Sequence, residues 1–153
     1  MPDHSASIRW ARGEHPFLDN RYSRAHEWRF DGGAVVRASS SPSVVRPPMS
    51  DPSGVDPEEA FVAALSSCHM LWFLSLAAER GLVVDLYEDA AVGRMERLPD
   101  GRSTMARVVL RPRVTFASGT APTRATLDAL HDDAHHQCFL ASAVKCALTI
   151  EPA

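Results

Sequence analysis

Apolar and polar residues alternate along the first part of the chain and then change period. "ASIRWAR" over residues 6–12 alternates with period two and predicts a first strand. "FLDNRYS" carries turn chemistry, and "RAHEWRF" followed by "DGG" predicts a second strand ending in a tight hairpin turn. "AVVRASS" returns as a third strand, so the N-terminal strands occupy residues 6–38. Residues 39–55, rich in Pro, Ser and Asp, form a long loop.

From Asp56 the pattern becomes helical. Aspartate is a good N-cap, Pro57 suits the first helical position, and Glu59 sits where a capping-box acid reaches back. Phe61, Ala64, Leu65, Cys68, Leu71, Trp72, Ser75 and Leu76 recur three or four apart on one broad face, widened by Phe73 and Leu74. Gly81 marks the end, giving a central helix over 56–81. A helix of that size is about 35 Å long at 1.5 Å per residue, enough to cross a small protein.

Residues 83–116 read as two long strands joined at "PDGR", a single hairpin. Residues 122–138 form a second helix with Leu127, Leu130 and Ala134 as its apolar seam, and residues 145–151 form a closing strand. Antiparallel hairpins alternating with helices indicate an α+β protein.

The chain has 153 residues and fits one domain over 1–153. Its 16 basic and 19 acidic side chains leave a formal charge of −3, and the arginines are scattered, so no nucleic-acid stripe is expected. The N-terminus lacks the pattern of a secretory signal. The longest apolar stretch, Leu71–Ala78, is too short for a membrane span, and a cytoplasmic location without membrane contact is expected.

Three cysteines, Cys68, Cys138 and Cys146, do not make a secreted disulfide framework. On its own, Cys68 reads as a small hydrophobe on an apolar helix face. Cys138 falls where the second helix pattern gives way, a place where a thiol is partly exposed, and Cys146 belongs to the core of the last strand. Glu58 and Glu59 suit the helix dipole. Glu58 stands ten residues before Cys68, about 15 Å along a shared helix, so a Glu–Cys contact needs a second copy of this helix running antiparallel. His131 and His135 have the i, i+4 spacing of metal ligands, with Cys138 or Asp132 as a third; an exposed polar helix face is the simpler account.

Two segments together resemble a known family. "DPEEAFVAALSSC" at 56–68 is similar to the start of the central helix of OsmC/Ohr proteins, the osmotically induced and organic-hydroperoxide-resistance proteins. "DDAHHQCFLASAV" at 132–144 is similar to that family's second cysteine motif. The resemblance covers nearly the whole chain. It implies an OsmC-like fold with antiparallel sheets around two central helices, assembled as an intertwined homodimer. It also implies a thiol-dependent peroxidase that reduces organic hydroperoxides to alcohols, with Cys68 as peroxidatic thiol, Cys138 as resolving thiol and Glu58 as the family glutamate. The family arginine falls on Arg21 or Arg24, with Arg21 preferred. A dithiol, lipoyl-type or small, would reset the site, and no metal, flavin or haem is implied. Phe139 stands where the hydroperoxide-resistance branch has proline, which places the chain in an OsmC-like side branch.

The chemistry suits these residue types. A thiol with a pKa near 8.5 is about 3 per cent ionised at pH 7, and lowering it to about 6 makes it roughly 90 per cent thiolate. Desolvation in an apolar helix face works against ionisation, and an arginine held by a glutamate supplies the opposing charge. A non-enzymatic alternative is a dimer that binds a hydrophobic ligand near Trp72 and Phe73 or senses redox state.

Overall fold

The structure, a computed structural model, describes residues 3–153. The described residues divide into two compact units, one up to Ala60 and the other Phe61–Ala153.

The first unit contains an antiparallel sheet of three strands, β1 (Ala6–Arg9), β2 (His26–Phe30) and β3 (Val35–Ala38), in that order. The register places Ile8 opposite Trp28 and Trp28 opposite Val36, so the period-two pattern puts these three apolar side chains on one face, with Val35 exposed on the other. The turn between β2 and β3 needs a left-handed residue, which Gly33 supplies with φ of 86°. Beyond β3 the chain runs through turns to Val55, which forms an isolated parallel bridge with Ala38.

Helix α1 (Pro57–Glu79) begins in the first unit and continues into the second. Its start is a capping box: Asp56 Oδ1 accepts from the Glu59 amide at 2.8 Å, and Glu59 Oε2 accepts from the Asp56 amide at 3.3 Å. Its end is a left-handed Gly81 with φ of 71°.

The second unit differs from the single hairpin expected over 83–116. Four strands occur there: β4 (Val84–Asp89), β5 (Val92–Arg97), β6 (Ser103–Leu110) and β7 (Pro112–Phe116). β5 and β6 form the expected hairpin, but β4 pairs with β7 in a separate ribbon. Breaks at Ala90–Ala91 and Arg111 separate the two ribbons, and the Asp89 carboxylate ties them by accepting from the Arg111 amide at 2.6 Å. The last strand, β8 (Ala147–Ile150), runs parallel to β6, the one parallel pairing among the named strands. Helix α2 (Arg124–Gln137) is capped by the Thr123 hydroxyl, and a short helix α3 (Phe139–Ala143), absent from the sequence reading, follows at once.

Two apolar clusters hold this unit. Phe73 and Ala77 of α1 meet Leu130 and Ala134 of α2, with Val84, Tyr87, Val114 and Phe116 of the β4–β7 ribbon around them. Leu65 meets Val108 and Leu110, flanked by Leu148 and Ile150. Cys146 packs half-buried against this second cluster rather than inside it. At Gly93 a Cβ would fall 2.6 Å from Val62 Cγ2, so glycine lets β5 approach α1 closely.

The stripe of α1 that the chain itself buries is Leu65, His69, Phe73 and Ala77. The broad face read from the sequence included Leu65 and Phe73 of this stripe but also Ala64, Cys68, Leu71 and Ser75, and it left out His69 and Ala77. In the structure Ala64, Leu71 and Ser75 are exposed, Leu71 at 61%, and Cys68 is half-buried beside them. The helix is apolar nearly all round, so periodicity did not select which side its own chain covers. By length and composition α1 is also long and apolar enough to cross a membrane, in contrast to the shorter stretch read from sequence. Acids occur only at its two ends, and its interior serines and His69 interrupt the apolar run without adding a full charge.

Candidate active site

Cys68 and Cys138 come together within the second unit. Cys68 lies mid-way along α1, while Cys138 is at once the C-cap of α2 and the N-cap of α3. Its amide bonds back to the carbonyls of Ala134 and His135, so the end of α2 fixes the sulfur's origin. The two cysteines are free, and Cys138 Sγ donates to Cys68 Sγ across 2.7 Å. Contrary to the partial exposure expected at a helix junction, Cys138 is buried, because the chain re-enters a helix immediately. Burial, and then its hydrogen bond to Cys68, pushes the Cys138 thiol up to about 11. Cys138 therefore holds its proton at neutral pH.

The pair opens on an apolar groove of about 500 Å³ lined by Cys68, Leu71, Trp72, Phe139 and Leu140, with Ser67 and Ser75 supplying polar edges. The Trp72 and Phe139 rings meet edge to face at 5.5 Å. No local pattern marks Phe139 and Leu140 as groove residues, since only the turn from α2 into α3 brings them beside Trp72.

Glu58 and Arg24 line a separate concavity of about 480 Å³ in the first unit, together with Ile8, Trp10, Phe17 and Tyr22. Arg24 is fixed at both ends. Its amide donates to Met49 O at 2.7 Å, and its carbonyl is met by His26 Nδ1 at 2.8 Å. His26 Nε2 accepts from Trp28, which leaves Nδ1 as the donor in the neutral ring. The guanidinium donates to Asn20 O, Asn20 Oδ1 and Tyr22 O and lies 3.9 Å over the Tyr22 ring. Asn20 reaches this position through a left-handed φ of 59°, which asparagine tolerates. Trp10, Phe17 and Tyr22 pack together, with Phe17 stacked on Tyr22 at 4.7 Å. Arg21 is exposed and does not line the concavity. A fixed cation, a carboxylate and an aromatic wall thus share one recess, which suits an apolar molecule carrying a polar end.

His131 is not turned toward Cys138. It is buried and meets His69 of α1, Nε2 of His69 standing 3.1 Å from Nδ1 of His131. Burial holds both rings neutral, with each pKa down at about 4. Among the described residues no group of three His, Cys, Asp or Glu side chains is placed to hold a metal ion. His69 was also missed as a partner, although its spacing of four from Leu65 and Phe73 puts it on the buried stripe.

Residues 50–153 match the OsmC-like protein family. Over the full length of both chains the protein is 48% identical to an OsmC-like protein of unknown function from Vibrio cholerae, with a TM-score of 0.96. An organic hydroperoxide resistance protein from Elizabethkingia anophelis shares the fold at 14% identity and a TM-score of 0.72, covering 100% of this chain and 98% of its own. One from Bacillus subtilis does so at 16% and 0.69, covering 99% and 98%. No curated protein matches the sequence. With residues 50–153 matching the family and a relative 48% identical over its whole length, the chain belongs to the OsmC-like protein family.

Proposed function

We propose that the protein is a thiol-dependent peroxidase that reduces organic hydroperoxides to alcohols. The observation that carries this reading is the pair of free sulfurs, Cys68 and Cys138, 2.7 Å apart beside an apolar groove. The Cys68 thiolate attacks the distal oxygen of the hydroperoxide; the O–O bond breaks, and the leaving alkoxide takes a proton to become the alcohol. Cys68 is left as a sulfenic acid. The Cys138 sulfur then attacks it, forming the disulfide while its proton and the sulfenic hydroxyl leave together as water. A dithiol reduces that disulfide by exchange and is itself oxidised. The protonated, buried Cys138 fits the resolving role, since it does not compete as a nucleophile for the peroxide. Trp72, Leu71 and Phe139 fit an alkyl or aryl group better than hydrogen peroxide.

Arg24 is the arginine this reading uses, because it lines one recess with Glu58 whereas Arg21 is exposed. Ten residues of α1 separate Glu58 from Cys68, about 15 Å, so the recess of one copy serves the thiol of another in a homodimer. The exposed apolar face of α1 through Ala64 and Leu71 agrees with such pairing. Organic hydroperoxide resistance proteins of the same fold favour the same chemistry.

The test is steady-state consumption of cumene hydroperoxide with a dithiol, comparing wild type with Cys68→Ser, which loses turnover, and Cys138→Ser, which completes one turnover and accumulates oxidised Cys68. Co-expressed Cys68→Ser and Glu58→Gln chains regain activity in mixed dimers. Wild-type protein that reacts with the hydroperoxide no faster than free cysteine overturns the proposal.

A further inference from the structure

The buried seam between α1 and α2 is apolar except at one point. Phe73, Ala77, Leu130 and Ala134 form its body, and these contacts are non-directional. The exception is His69 and His131, exposed to only 1% and 2%. Their rings lie nearly parallel, 8° apart, and the His131 ring also stacks on Phe73 at 4.5 Å. Theirs is the one hydrogen bond among the described residues that joins two fully buried side chains of these helices.

This pair is poorly explained as a source of stability. Only one nitrogen of each ring is used: His69 Nδ1 and His131 Nε2 are buried without a partner. Leucine or phenylalanine at position 69 would continue the stripe of Leu65, Phe73 and Ala77 and leave nothing unpaired. A buried polar contact that is costly to keep is best attested as a device for register.

The positions of the pair say which register it sets. His69 is the residue after Cys68, and any slide of His69 along α1 carries Cys68 with it. His131 lies seven residues before Cys138, two helical turns on the same side of α2. An apolar seam tolerates a shift of an ångström with little change, whereas a nitrogen–nitrogen hydrogen bond at 3.1 Å does not. We infer that His69 and His131 are positioning residues that lock α1 against α2 so that the Cys138 sulfur stands at Cys68. Under the peroxidase reading, on which its consequence rests, the clasp sets how fast the Cys68 sulfenic acid is resolved.

The test does not require peroxidase activity. In a Cys146→Ser background only the two thiols of interest remain, and their effective concentration is measured by equilibration in glutathione buffers. There the protein disulfide and two glutathione thiols exchange with the protein dithiol and glutathione disulfide. His69→Leu and His131→Leu are expected to lower the effective concentration at least tenfold, with the helical circular dichroism retained. His131→Asn places an amide atom where Nδ1 stood, and His69→Gln places one where Nε2 stood; each single variant is expected to stay within threefold of the parent. Leucine variants that keep the parental effective concentration overturn the inference. Should the leucine variants unfold, the amide variants decide, and a folded amide variant with a tenfold loss overturns it as well. If wild type shows no hydroperoxide turnover but the leucine variants lose effective concentration, the peroxidase reading fails and the clasp stands.

Discussion

Acid should loosen the second unit at a pH set by its two buried histidines. Both rings are neutral in the folded chain, His69 because burial opposes charge, His135 adds to that opposition and Asp89 offsets part of it. His131 follows from burial first and then from the neighbouring His69, with Asp128 acting in the other direction. In the folded protein each titrates at about 4, against 6.5 for a free histidine. Between those limits the unfolded chain binds more protons than the folded one, so stability falls as pH falls. The contribution is complete above about pH 6.5 and is lost on descending to about 4, below which it is flat. At 1.36 kcal/mol per pH unit the loss is on the order of 3 kcal/mol for His69. The contribution of His131 is no larger, because the two rings share one hydrogen bond and a proton on either opposes a proton on the other. Against a typical total of about 5–15 kcal/mol, this is a large fraction. Urea denaturation at intervals from pH 7.5 to 4, on wild type and on His69→Leu/His131→Leu, isolates the effect, since carboxylates and exposed histidines titrate in both. The wild-type curve should fall more steeply between pH 6.5 and 4, and the gap between the two proteins should change by 2 kcal/mol or more across that window. Parallel curves would show that the two imidazoles do not titrate differently on folding, and the reasoning would be wrong.

Two further predictions concern the ends of the cysteine-bearing helices. Asp56→Ala removes the side-chain acceptor for the Glu59 amide and is expected to destabilise the protein by about 1 kcal/mol in urea melts, with Asp56→Asn losing less; equal losses would mean that the cap contributes little. In the reduced protein, alkylation of Cys138 by iodoacetamide should remain slow up to about pH 10, because its thiol titrates at about 11 and is buried. Peptide mapping that finds Cys138 labelled rapidly at pH 8 would contradict that environment.

Local chemistry was enough to read several features from the chain. The capping box at Asp56 and Glu59, the helix stop at Gly81 and the turn at Gly33 each depend on residues within a few positions of one another, and the structure has all three. The period-two strands of the N-terminal sheet were legible for the same reason, as was the seam of α2 through Leu130 and Ala134. The family resemblance rested on two cysteine segments, and residues 50–153 match the OsmC-like protein family.

What the sequence determined by itself was therefore local: the N-terminal strands, the β5–β6 hairpin, α1 with its cap and stop, α2 and the final strand, together with the two cysteine segments that carry the family resemblance. Pairing between distant segments was decided by tertiary structure alone. Residues 83–116 split into nested ribbons because β4 finds β7, and β8 joins β6 in parallel, choices that no local pattern encodes. The same holds for α1, whose nearly uniform apolar surface leaves periodicity silent about its buried side; the packing of Phe73 and Ala77 on α2 selects the stripe that contains His69. That selection leaves Cys68 at the edge of the groove, brings Cys138 to it, and turns His131 onto His69. Hydrophobic burial is non-directional, so it drives these helices together without dictating where they stop, and the contacts that stop them lie sixty or more residues apart along the chain.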